Sequence, residues 1–110
     1  MSRRQVRLHR CFRKDFKGQL AWLIAEDRED WIPGLADAVE EVMERLREFP
    51  ESGPVVKEST RLVLRKILFR RRPLVAWYAY RRGKTITTVW LLRLFGAHQA
   101  RPRSGKWEVR

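Results

Sequence analysis

Between residues 61 and 98 three strand-length apolar runs follow one another with little chain to spare. Residues 62–69 alternate, placing Val63, Ile67 and Phe69 on one side, while 74–80 and 85–95 are rich in β-branched and aromatic residues. Arg70-Arg71-Arg72 and Pro73 separate the first two runs, and Arg82-Gly83-Lys84 reads as a tight hairpin turn because glycine accepts positive φ. The expected product is an antiparallel three-stranded meander. It carries so many arginines that it is either a solvated surface or a platform for something anionic.

Such a sheet needs cover, and the preceding residues supply it. Phe12, Phe16, Leu20, Leu23 and Ile24 recur at steps of three and four, with Arg13, Lys14, Lys17 and Gln19 opposite; this predicts a helix ending near 26–30. Pro33 opens a second helix with an inner stripe of Leu35, Val39, Val42, Leu46 and Phe49, which Pro50 stops. Residues 51–54 read as a loop and 5–9 as a short edge strand. The fold class expected is therefore α+β, a two-helix hairpin packed on a small antiparallel β-sheet, in one domain spanning 1–110. Residues 99–110 lack any period and read as a flexible tail, pinned if at all by Trp107. Strict alternation puts Ile86, Thr88, Trp90, Leu92 and Leu94 on one face of the last strand and Thr87, Val89, Leu91 and Arg93 on the other. With both faces apolar, that strand should be central. The face away from the helices is expected to hold Tyr78, Tyr80, Arg93 and Arg65 or Lys66.

Charge is distributed unevenly. The net charge is +12, but residues 26–51 hold ten acidic and three basic side chains, whereas 57–110 hold fifteen basic and two acidic. A field so polarised attracts polyanions or an acidic protein. Other classes are disfavoured. The lone Cys11 has no partner for a disulfide, and His9, Cys11 and His98 lack metal-ligand spacing, so neither metal nor other cofactor is expected. No apolar run approaches the roughly 20 residues that span a bilayer, and the N-terminus lacks the apolar core of a signal peptide; no membrane association and a cytoplasmic location are expected.

Metal-free cleavage of RNA requires a base at the 2′-hydroxyl, an acid at the leaving oxygen and cations around phosphorus. Arg65, Lys66, Arg70, Arg71 and Arg93 are candidates for the charge, and His98 or Tyr78 for the proton. Each has a plainer alternative: Arg70–Arg72 as a solvated turn, His98 as a loop residue, Tyr78 and Tyr80 as packing. Arg93 is the most suggestive, since a cation on an apolar strand is costly unless it is paired or open to a ligand.

The order of these elements, with LRKILFRRRPLVAWYAYRRGKTITTVWLLRLFGAHQARP, resembles the ParE/RelE superfamily of type II toxin–antitoxin toxins. Arg72-Pro73-Leu74-Val75-Ala76-Trp77-Tyr78 is similar to the family's Pro-led second strand, and Thr85 to Gly96 to its third; the likeness covers roughly residues 5–102. The resemblance implies growth arrest by one of two routes. RelE-like members cleave mRNA on the ribosome, which here would use Arg65, Arg93 and His98. ParE-like members inhibit DNA gyrase without chemistry of their own and serve plasmid stabilisation. Lys66, Arg70, Arg71, Arg72, Tyr78 and Arg101 would then bind target or nucleic acid. Leu74 or Val75 stands where the nucleases place arginine, no tyrosine follows Tyr80, and His98 lies beyond the family's histidine position; these departures favour the gyrase-directed branch. The resemblance also implies a cognate antitoxin whose acidic segment folds over the basic protein in a hetero-oligomer. A non-catalytic nucleic-acid-binding module and an inert relative keeping only the antitoxin surface are the alternatives.

Overall fold

A computed structural model describes residues 4–70, 72–83 and 85–96. A short strand β1 (Gln5–Leu8) leads into helix α1 (Arg10–Ala25), a single 3-10 turn (Glu29–Trp31) and helix α2 (Ile32–Glu48). Strands β2 (Val55–Glu58), β3 (Leu62–Leu68), β4 (Leu74–Arg81) and β5 (Thr88–Gly96) complete the chain order. They form one five-stranded sheet in the order β1-β5-β4-β3-β2, antiparallel throughout except that β1 runs parallel to β5.

Local chemistry explains the element ends. His9 caps α1, its Nδ1 accepting the Cys11 N–H at 3.1 Å. At the other end Asp27 takes the left-handed conformation, φ 53°, while the N–H groups of Asp27 and Arg28 donate to the carbonyls of Ile24 and Leu23. This two-bond arrangement is the Schellman cap, and it turns the chain sharply into the next helix. Pro33 sits in the first turn of α2, where its missing N–H costs nothing. Arg4 closes the far end of α2 by donating from Nη1 to the Arg47 carbonyl at 2.8 Å.

Both helices lie on one face. Phe12 and Leu23 of α1 and Leu35, Val39, Val42 and Leu46 of α2 pack with Val63, Ile67, Tyr78, Tyr80, Val89, Leu91 and Leu94 of the sheet. Leu46 and Phe12 are wholly buried; trimming a leucine so placed to alanine costs about 2–5 kcal/mol. A second buried cluster, Leu64, Val75, Trp77, Ala79 and Leu92, occupies the opposite face and contains no helix residue.

Four expectations are corrected. Tyr78 and Tyr80 belong to the helix-covered core, because the register pairs them with Arg65 and Val63 on that face. Strict alternation in β5 fails after Leu92, because a register irregularity at Trp77/Tyr78 puts Leu94 with Val89 and Leu91 and leaves Trp90 and Phe95 with Leu92. The strand pairing does not close as a tight turn: it ends at Tyr80↔Val89, and Gly83 does not use positive φ. Ile24 and Phe49, assigned to inner stripes, are 51% and 63% exposed, each lying at a helix end where the stripe has run past its neighbour. The expected C-terminal tail lies outside the described residues.

Candidate functional site

The face without helices carries several of the described cations. Directly opposed residues in a ladder share a face, so Lys66, opposite Trp77, lies beside the second apolar cluster. Arg81, two residues beyond Ala79, lies on the same side by the period of a strand. Arg7 faces Trp90 across the parallel ladder, its guanidinium 5.8 Å from the ring centroid. Trp77 and Phe95 meet edge to face at 5.6 Å. The result is an apolar floor bordered by Arg7, Lys66 and Arg81. Trp77 and Leu92 are 4% and 0% exposed, whereas the Trp90 and Phe95 rings beside them are only half-buried. The rim can attract an anionic surface.

The residues singled out from the sequence do not converge on that rim. Arg93 is engaged with α1: its Nε and Nη2 donate to the two Asp15 carboxylate oxygens at 2.7 and 3.1 Å, and the Leu94 N–H donates to the same carboxylate at 2.9 Å. Donation to the Asp15 carboxylate holds the Arg93 guanidinium's pKa above its ordinary value, against the opposing effect of burial. β1 stops opposite Leu91, so Asp15 also satisfies an edge donor that β1 would otherwise have met. The expensive cation on the apolar strand is paired rather than open.

Arg65 and Tyr78 act together, but as a clamp on the chain after α2. Arg65 donates from Nε to the Tyr80 hydroxyl at 2.9 Å and from Nη1 to the Gly53 carbonyl at 2.7 Å. The Tyr78 hydroxyl accepts the Gly53 N–H at 3.0 Å, and the ring is wholly buried. Burial raises the Tyr78 pKa, partly opposed by hydrogen bonds from Gly53 and Ser52 and by the Arg65 charge. A ring at zero exposure cannot touch a macromolecular target, which removes Tyr78 from the binding surface. Gly53 is required here, since a Cβ on it would lie 1.8 Å from the Lys66 carbonyl oxygen.

Arg70 and Arg72 turn toward α2. Arg70 pairs with Glu41 at 3.5 Å, and Arg72 lies against Gly34, whose Cβ would come within 2.3 Å of its Nη2. Arg71, His98 and Arg101 lie outside the described residues. Of the described sequence candidates Lys66 lies on the rim, and Arg93, also opposite Trp77, is held at its edge by Asp15. Arg7 and Arg81 were missed, although the period-2 step from Trp77 through Ala79 places Arg81 on that face. Nothing local marks Arg7, whose position depends on β1 pairing with the last strand.

These elements define an α+β domain in which a helical hairpin backs a basic sheet. The chain is similar in structure to a chain of a solved chromosomal ParDE TA system from P. aeruginosa, with a TM-score of 0.62 and 14% identity over 84% of this chain and 95% of that one. At that identity the likeness establishes a shared fold. No protein-family model and no curated protein matches the sequence.

Proposed function

We propose that this protein is the toxin of a type II toxin–antitoxin module, acting as ParE-like toxins do by inhibiting DNA gyrase and neutralised by a cognate antitoxin with an acidic segment. The observation that carries this reading is the shared fold over nearly the full length of a chain from a ParDE system. The charge pattern supports it, because a rim of Arg7, Lys66 and Arg81 suits an acidic partner. Gyrase is preferred to ribosome-bound mRNA because Arg65, Arg93 and Tyr78 are committed to internal bonds and so are poorly placed to bind phosphate or move a proton.

Induced expression without a partner tests both steps. Arrested growth, stalled gyrase–DNA complexes and an SOS response are expected. Cleavage of mRNA at the ribosomal A site would replace the target with mRNA. Steeply salt-dependent binding of nucleic acid without growth arrest would leave only the binding module. Arg7→Glu combined with Arg81→Glu is expected to weaken antitoxin binding at least tenfold while leaving the fold intact, since both side chains are exposed.

A further inference from the structure

The tip of the helical hairpin carries an exposed aromatic cluster that the basic sheet face does not explain. Trp22 is 52% exposed and Trp31 48%; these are two of the six large hydrophobic side chains the described residues leave exposed. Arg28 stands between the two indoles, its guanidinium 5.9 Å from the Trp22 ring and 5.4 Å from that of Trp31. The Schellman cap at Asp27 fixes the backbone that holds Arg28 there. The patch is thus ordered before anything binds, which lowers the entropy lost on association.

Charge selects the occupant. Glu26, Asp27, Glu29 and Asp30, all exposed, flank Arg28 in the stretch between the two tryptophans. Nucleic acid and anionic lipid are both repelled by such a rim. On a chain of net charge +12 this is the region to which a cation is drawn. We propose that Trp22, Trp31 and the surrounding carboxylates form a docking surface for a basic, amphipathic protein segment: apolar side chains against the indoles, lysine or arginine against the acidic rim. The inference stands on exposure and charge and holds whether or not the toxin reading does. If the protein does have an acidic antitoxin, that segment belongs on the sheet face, and this tip stays open to a second, basic partner.

The test is titration calorimetry of the full chain with a helix-forming peptide of leucines on one face and lysines on the other. Two variants accompany it: Trp22→Ala with Trp31→Ala, and Glu29→Lys with Asp30→Lys, which alters only exposed positions. Binding by the parent protein, weakened tenfold or more in both variants with unchanged circular dichroism, is the expected result. Equal binding in parent and variants overturns the proposal. So does self-association of the parent that the same substitutions abolish, which would make the occupant a second copy. Binding to phosphatidylcholine vesicles that is lost in the tryptophan variant would likewise replace the protein partner with a bilayer.

Discussion

Arg93 decides how the sheet is to be understood, and a double-mutant cycle with Asp15 isolates its role. The Asp15 carboxylate receives three hydrogen bonds, two from Arg93 and one from the Leu94 N–H, and the two side chains are 16% and 30% exposed. Charge-assisted bonds of this kind contribute about 1.5–3 kcal/mol each when buried, and less where water competes. Asp15→Ala leaves the Leu94 donor and the cation without their acceptor, so a loss of about 2–3 kcal/mol is expected. Arg93→Met leaves the Asp15–Leu94 bond in place and should cost about 1 kcal/mol. The coupling between the two should be about 1–2 kcal/mol. For a domain of this size about 4 °C of Tm accompanies each kcal/mol, so Asp15→Ala should melt roughly 8–12 °C lower. Urea unfolding of the parent, both single variants and the double variant supplies the cycle, provided the m-values agree. Additive effects would show that the pair does not form in solution. Loss of growth arrest in an Arg93→Met protein that folds with its expected stability would return Arg93 to the functional surface.

Other substitutions probe the scaffold. Gly18 lies inside α1 with open space around its Cβ position, so Gly18→Ala should raise stability by about 0.5–1 kcal/mol in thermal melts. Gly53→Ala should lower it by about 3 kcal/mol or more, because the Lys66 carbonyl forces the loop away from Tyr78 and Arg65. Tyr78→Phe should cost about 1–3 kcal/mol by stripping the Gly53 N–H of its acceptor. It should also flatten the alkaline limb of stability. Burial raises the folded Tyr78 pKa above the ordinary 10.0, so the unfolded chain loses this proton first, and stability falls as pH climbs from about 10 toward the folded value. Chemical unfolding between pH 8 and 11 checks it; an unchanged slope in Tyr78→Phe would contradict the burial argument.

Much of this architecture was legible because its periods are clean. The inner stripe Leu35, Val39, Val42 and Leu46 and the strand ends at Leu62, Leu74 and Gln5 all lie where the pattern put them. β2 escaped notice because Val55–Glu58 is a short, mostly exposed edge with an irregular register, and so buries too little to leave a pattern. The site was harder to see, for one physical reason. A guanidinium on a strand looks the same in sequence whether it awaits a ligand or already has a carboxylate, and Asp15 lies on the first helix, far from Arg93 in the chain. Likewise, a one-residue slip at Trp77/Tyr78 changes which β5 side chains share a face, and no local residue type announces it.

The parallel pairing of β1 with β5 has a consequence for biosynthesis. Gln5 cannot meet its neighbour until Thr88 has been made, and α1 has its main sheet contact on that same last strand. A nascent chain must therefore hold the apolar side of its first helix without a permanent seat until β5 has been made. Completion of the domain then becomes a nearly all-or-none event that waits on β5, and premature termination before β5 should yield a species fit for proteolysis.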